Sequence, residues 1–480
     1  MTDRHQFAAN VLAQGLARVL SIAANLALIL VVARLMGTEV FGRFSYVLAF
    51  ITVGATLADL GTTAVLAHGL ALLDGSARAH YLGNYILMRA VLAALVMAGC
   101  VAAALVLPNA GAQGALLIAA FGLPVLASRF FEPVFQVVGR PWLSLWPNLA
   151  FGMAQLAVVA LVVAKPTMPV DMLTALFVAS NAVYTGMAVI LMLRHVRPDW
   201  TPDRPLLADI LKLALPMGVG ALFTTLAIRM DVFVLERLHG PLVLGQYSAA
   251  YRILDLAVFF AVTLTTPLIP ILSREIRSDR TAALARSRLF VQGACALALP
   301  LAIVVPTVAT ELVTAIFGAP YAGAAEPLSI LVWDVLLVML ALIGTAVNLA
   351  NGEVRHAYWV APGGALMAVV LNAALVPAHG AVGAAWAALG TQAAMLAGSQ
   401  YYTFTRFGNL YAPRAIGRIA ACCALLVAAL WLLQPLGPVW AALLASAAYA
   451  SVALVSGTLP LAAMWRTLIE ARAARRRPAG

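Results

Sequence analysis

The chain has 480 residues, of which 63% are apolar and only 10% charged, with a formal net charge of +11 and a mean hydropathy of +0.96. That balance excludes a water-soluble globular domain and a disordered segment, neither of which tolerates so little polar surface. The basic excess does not indicate nucleic-acid binding, because the Lys and Arg residues lie mostly in short gaps between apolar runs, the pattern that membrane topology produces.

In chain order, the first apolar run, Leu12–Val32, contains Arg18 and is too long for the core of a signal peptide, so it is read as a membrane span. Further runs of about 18 to 25 residues are centred near residues 55, 96, 122, 153, 182, 223, 258, 298, 339, 367, 392, 425 and 449, each long enough to cross hydrocarbon. Only helices satisfy their own backbone in such a chain, which predicts an all-α integral membrane protein of about fourteen transmembrane helices. Gly and Pro punctuate the runs, at Gly37, Gly42, Pro198 to Pro205, Gly240, Pro241 and Pro377 to Gly380 among others. No gap is long enough for an inserted soluble domain. The four cysteines, Cys100, Cys295, Cys422 and Cys423, all fall within apolar runs and read as small buried hydrophobes.

Counting Lys and Arg in alternate gaps gives the orientation. With both termini in the cytoplasm, 23 of the 30 basic residues fall on the cytoplasmic side, Arg89 and Arg129 among them. Arg34, Arg43, Lys165 and Arg237 fall outside, and Arg18, Arg229 and Arg252 fall within spans.

The chain also repeats itself. Arg34 to Ser45 aligns without gaps to Arg237 to Ser248, with six of twelve positions identical. Both stretches follow the first helix of a half, so the repeat is parallel and contains six spans. Such an arrangement places a binding site between the halves near the midplane. The expected layout is a six-helix bundle over 1–195, a cytoplasmic linker over 196–210 and a second bundle over 211–404. Two further transmembrane helices over 405–465 and a basic tail over 466–480, with Arg475, Arg476 and Arg477 for anionic lipid, complete it.

A series of short motifs carries a family resemblance: Ala33-Arg34-Leu35-Met36-Gly37 with Phe41-Gly42, Ala58-Asp59-Leu60-Gly61, Phe135-Gln136-Val137-Val138-Gly139-Arg140 and Ala214-Leu215-Pro216. Arg229-Met230-Asp231 is followed by Gly240, Leu244-Gly245-Gln246-Tyr247 and Ala249-Ala250-Tyr251-Arg252. Tyr321-Ala322-Gly323-Ala324-Ala325 and Gly380-Ala381-Val382-Gly383-Ala384-Ala385 complete the series. With these motifs the chain resembles the Wzx-type oligosaccharide flippases, or polysaccharide biosynthesis proteins, of the multidrug/oligosaccharidyl-lipid/polysaccharide exporter superfamily. His68 stands where that pattern has a basic residue after the second span. The resemblance implies alternating-access export of an undecaprenyl-diphosphate-linked oligosaccharide from the inner to the outer leaflet of a bacterial plasma membrane. It also implies a monomer working beside a polysaccharide polymerase and glycosyltransferases, without cofactor or metal, with proton or sodium coupling open. A peptidoglycan-precursor flippase, a multidrug exporter and, from another class, a polysaccharide polymerase or glycosyltransferase are the competing readings. The short gaps hold no catalytic constellation, which disfavours the enzyme.

Ionisable residues inside spans cost about 2.5 to 3.5 kcal/mol each and need partners or a wet cavity. At about 1.5 Å per residue, Arg18 and Asp59 fall at a similar depth on consecutive helices and are expected to pair. By the same arithmetic Asp231 lies level with Arg252, and Arg229 with Asp255. Arg229 and Asp231, two residues apart, cannot both face the eighth span, so one pair should fail and free a charge. Asp334 has no partner at matching depth and is the expected ion-coupling carboxylate, with Asp59 second. Arg18, Arg229 and Arg252 are the candidates for contact with the carrier diphosphate, because guanidinium meets phosphate bidentately and stays charged. Their structural alternative is snorkelling for Arg18 and a hairpin lock through Asp231 or Asp255 for Arg252. Asn148, Gln155, Asn181, Asn348, Asn372 and Gln400 read first as interhelical fasteners and second as sugar-binding groups.

Overall fold

The computed structural model of the chain describes residues 2–106, 111–137, 139–265, 268–353 and 355–460. The basic tail from Arg466 on and Pro267 lie outside the described residues, as do the side chains of Arg4, His68 and Arg355. Among the described residues sixteen α-helices follow one another: α1 Thr2–Asp59, α2 Thr62–Ala71, α3 Gly75–Val106, α4 Gln113–Phe121, α5 Leu123–Leu126, α6 Phe131–Val137, α7 Leu145–Ala164 and α8 Val170–His195 lead to the middle of the chain. Beyond it come α9 Arg204–Thr265, α10 Leu268–Ser278, α11 Arg280–Val304, α12 Ala309–Phe317, α13 Ala325–Ala350, α14 Arg355–Arg406, α15 Pro413–Leu433 and α16 Pro438–Val455. No strand occurs among the described residues. Exposed large apolar side chains such as Trp431, Trp440 and Leu425 on long helices suit an exterior solvated by lipid. This is a multi-pass helical membrane protein.

Among the described residues, ten helical stretches are long and apolar enough to cross a membrane, or eleven if the pair Gln113–Phe121 and Leu123–Val137, bent by 58°, is one span. The difference from the expected fourteen lies in α1, α9 and α14, of 58, 62 and 52 residues. Each far exceeds the roughly 20 residues of one crossing, and each contains one glycine with non-helical backbone: Gly37, Gly240 and Gly380. In α14 the chain doubles back there. Gly383 sits against Leu375, Gly390 against Leu371, Gly364 against Met395 and Gly398 against Val360, pairs that are mirror-placed about Gly380. Positive φ at the turn is cheap only for glycine, which is why a Gly marks each break.

The chain divides into two compact units, Met1–Gly245 and Gln246–Gly480. In the first, residues 204–240 of α9 run antiparallel to the second half of α1. Tyr46 packs edge-on against Phe233 at 5.6 Å, Thr56 and Thr225 hydroxyls meet at 3.2 Å, and Gly61 abuts the Ala214 carbonyl and Gly218 amide. The aligned repeat segments also touch each other reciprocally. A methyl group at Gly42 would overlap the Pro241 carbonyl oxygen, and one at Gly245 would overlap that of Thr38. Gly42 aligns with Gly245 and Thr38 with Pro241, and their leading glycines share one backbone shape, φ 86 and ψ 171 at Gly37 against φ 77 and ψ 179 at Gly240. Small residues here permit backbone-to-backbone contact between helices that gain nothing from hydrophobic association in lipid.

In the second unit, α15 and α16 share a small core of Cys422, Leu426, Leu430, Ala445, Tyr449 and Ala453. Two polar ties fix it to α11: the Tyr449 hydroxyl donates to the Ala296 carbonyl at 2.9 Å, and Gln292 donates to the Thr458 carbonyl at 2.9 Å. The four cysteines are free and act as packing groups. Removing the tie by Tyr449→Phe is expected to destabilise the α15/α16 attachment by about 1 kcal/mol, read as faster protease clipping between Phe407 and Pro413.

Candidate functional site

α1 ends where Leu60 and Gly61 both take positive φ, 44° and 75°. The break is held by Arg89 of α3, whose side chain is 6% exposed. Its Nη1 donates to the Ala58 carbonyl at 2.9 Å, to Asp59 Oδ1 at 2.8 Å and to Thr62 Oγ1 at 3.2 Å. Its Nη2 donates to the Ala127 carbonyl, and the guanidinium lies 5.1 Å from the centre of the Phe130 ring. Asp59 also accepts from Thr63. A buried arginine satisfied on every side ties two broken helices, α1/α2 and α4/α5, to the straight α3.

The expected partner of Asp59 was Arg18; it is Arg89, because depth arithmetic fixes position along the membrane normal but not helix rotation. Arg89, counted as a cytoplasmic-side loop residue, is instead buried within α3. Arg18 pairs with Glu132 of α6 at 3.6 Å, with 65% of the arginine side chain and 19% of the glutamate side chain exposed.

Glu132 is the centre of a second cluster in the first unit. Asn148 donates to it at 3.4 Å and to the Ser144 carbonyl at 2.8 Å, while Ser21, one turn from Arg18, donates to the Asn148 carbonyl at 2.7 Å. Three residues before Glu132, the exposed Arg129 lies 4.7 Å from the Phe151 ring centre and 4.2 Å from that of Tyr184. Arg129 stands on the short turn Ser128–Phe130 that joins α5 to α6, in the second arm of the span bent at Gly122. Stacking on two rings keeps the guanidinium in place. The first unit therefore carries two exposed cations near Tyr184, Arg18 paired with Glu132 and Arg129 stacked on the ring. The signal that sequence reasoning passed over was Glu132 itself, a single acid inside the aromatic run Phe130 to Phe135.

Arg229, Asp231, Arg252 and Asp255 of α9 are all engaged. Asp231 is 3% exposed and accepts from the Val232 amide at 2.8 Å. Arg252 pairs with Asp255 at 3.1 Å, one turn along the same helix, as their shared face predicts. Arg229, Asp231 and Arg252 each have further interactions, so the expected freed charge does not arise. Asp334, 8% exposed on α13, likewise has an interaction partner, contrary to expectation. The amides mostly fasten helices. Gln155 donates to Ser180 at 2.9 Å, Asn348 to the Ser399 carbonyl at 3.3 Å and Gln400 to the Leu340 carbonyl at 3.2 Å, whereas Asn181 and Asn372 bond within their own helices. No group of three metal-ligating side chains occurs among the described residues.

Known proteins share both the sequence pattern and the fold. The model of the family "Polysaccharide biosynthesis protein" matches residues 7–275. Among solved structures, the lipid II flippase MurJ in an inward closed conformation superposes with a TM-score of 0.74 at 13% identity, covering 92% of this chain and 98% of that one. An inward-facing multidrug resistance MATE family transporter of the MOP superfamily gives 0.60 at 16% identity, over 80% and 94% of the two chains. The Vibrio cholerae MATE transporter VcmN, in its bent form, gives 0.55 at 13% identity, over 86% and 100%. At these identities the likeness is one of fold. No curated protein matches the chain.

Proposed function

The chain belongs to the polysaccharide biosynthesis protein family, and from that premise we propose that it flips undecaprenyl-diphosphate-linked oligosaccharide units from the inner to the outer leaflet of a bacterial plasma membrane. Alternating access between the halves, with no enzymatic step, accomplishes the transfer. The observation that carries this reading is the pair of exposed guanidiniums in the first unit, Arg18 paired with Glu132 and Arg129 stacked on Phe151 and Tyr184, in a chain that is only 10% charged. A diphosphate needs more than one cation, and two arginines at fixed positions offer bidentate contacts to its oxygens. Glu132 holds Arg18 in place when no diphosphate is bound and gives it up when one arrives. Asp334 is the carboxylate proposed for ion coupling, whereas Asp59 belongs to the Arg89 tie.

The reading is tested in a strain lacking the gene. Such cells are expected to lose surface polysaccharide and accumulate lipid-linked repeat units, and the intact gene restores both; normal surface polysaccharide without accumulation overturns it. Within the site, Arg18→Ala is expected to shift stability by no more than about 1 kcal/mol, since exposed ion pairs contribute little, while export falls about tenfold or more. Arg18→Lys recovers part of the loss. Export at the wild-type rate in Arg18→Ala, with protein levels matched, would return Arg18 to a structural role.

A further inference from the structure

The segment from Arg197 to Asp203, which joins α8 to α9, is stitched to the first turns of α3. The Asp199 amide donates to the Ala79 carbonyl at 3.0 Å, and the Asp203 amide donates to Asn84 Oδ1 at 2.7 Å. Asn84 returns a bond from Nδ2 to the Thr201 carbonyl at 3.0 Å. The approach is close enough that a methyl group at Gly83 would overlap the Asp199 carbonyl oxygen. Asp203 is also the N-cap of α9, accepting from the Leu206 amide at 3.1 Å, so the contact that holds the segment also sets where α9 begins. Arg197 adopts a left-handed φ of 46° at the entry to the segment, a conformation a non-glycine residue keeps only where its surroundings enforce it.

At the centre of the stitching is His80. Its Nδ1 lies 3.1 Å from Asp199 Oδ2 and its Nε2 lies 3.2 Å from Asp203 Oδ2. The Thr201 hydroxyl donates to Asp199 at 2.8 Å and so offers a lone pair to Nδ1 at 3.2 Å. An imidazole donates from both nitrogens only when protonated; either neutral tautomer turns a lone pair toward a carboxylate. Asn84, whose Nδ2 is 3.4 Å from Nε2, does not relieve this, since its amide hydrogens serve the carbonyls of His80 and Thr201 at 3.0 Å each. The other charged groups of the region are Arg78, engaged with Asp74 at 2.7 Å and with the Leu73 carbonyl, and Arg197 and Arg204 at the two ends of the segment.

We infer that His80, Asp199 and Asp203 form a proton-binding latch: with the proton bound the α8–α9 connection is held to α3, and with the proton lost it is released. Hydrogen bonds from His80 and Thr201 hold the Asp199 carboxyl below its ordinary range, and those from the Leu206 amide and His80 do the same for Asp203. Both acids therefore stay charged while the imidazole, ordinarily near pH 6.5, titrates. The sign follows: the latch is closed below the imidazole's titration and opens as pH rises through it; strong acid, which protonates the carboxylates at their depressed values, opens it again. The inference concerns regulation and does not depend on the substrate.

Hydrogen–deuterium exchange on the purified full-length chain in nanodiscs tests it without any substrate. After correction for intrinsic exchange rates, protection of the amides of Asp199, Asp203 and Leu206 is expected to fall about tenfold or more between about pH 5.5 and pH 8. His80→Gln is expected to give low protection at both pH values, and Asp203→Asn a reduced step. His379→Gln, on the remote α14, keeps the full step. Equal protection at both pH values in the native chain, or a pH step that persists in His80→Gln, overturns the latch. Since the native chain alone gives the first readout, a variant that fails to fold leaves the test intact.

Discussion

Arg89→Met is expected to lower the stability of the folded chain by about 3 to 5 kcal/mol, the range for removing one partner of a buried charge pair. The guanidinium it deletes serves Asp59, Thr62 and the carbonyls of Ala58 and Ala127 at once, and methionine fills the volume without offering a donor. Each of those acceptors is then left without the Arg89 bond, and a buried polar group that loses its partner costs far more than the bond itself contributed net. Asp59→Asn is expected to cost less, because the carboxylate is 33% exposed and keeps water as an alternative partner. Arg89→Lys falls between, since a point-charge ammonium does not span acceptors on two broken helices. Thermal unfolding of detergent-solubilised protein, followed by size-exclusion profile, measures the order: native, Asp59→Asn, Arg89→Lys, Arg89→Met. A native-like unfolding temperature for Arg89→Met would mean that the breaks in α1 and α4/α5 are held by apolar packing around Tyr85 and Phe130 instead.

Gly42→Ala and Gly218→Ala are each expected to reduce folded protein to near the detection limit, through a destabilisation of about 3 kcal/mol or more. The added methyl would overlap the Pro241 carbonyl oxygen in the first case and the Leu60 backbone in the second. Backbone cannot rotate aside as a side chain can, so relief requires separating α1 from α9 near Pro241 in the first case and the end of α1 from Gly218 in the second. Gly186→Ala and Gly99→Ala are the controls, with nothing within 4 Å of the new methyl group. As helical positions they are expected to be neutral or to gain up to about 1 kcal/mol. The comparison separates a steric effect from a general intolerance of alanine, and membrane-fraction yield of a tagged protein reads it directly.

These two effects differ in how visible they were beforehand. Gly42 and Gly245 stood out in the sequence as aligned positions of the repeat, yet nothing in the alignment says that the two copies touch. Arg89 gave no warning at all. It sits near the start of a long apolar run, where a basic residue reads as an interfacial anchor, and its depth became evident only once α3 was seen to begin at Gly75. Arg252 and Asp255, each matched by depth to a residue of the preceding span, pair instead with each other, three residues apart on one helix. Arg18 with Asp59 failed because it was long-range.

The sequence alone determined that this is an all-helical membrane protein, that its longest helices break at Gly37, Gly240 and Gly380, that the segments around Gly37 and Gly240 are copies of one pattern, and which family it belongs to. Hydropathy and turn chemistry are properties of short windows, and they add up along the chain without reference to the fold. Only the tertiary structure decided the partners of the intramembrane charges: Arg89 with Asp59, Arg18 with Glu132, and Arg129 stacked on Phe151 and Tyr184. A sequence gives the depth of a residue along its helix to within a turn, but the rotation of that helix and the identity of its neighbour come from packing of the whole bundle. A salt bridge needs all three coordinates within about 4 Å.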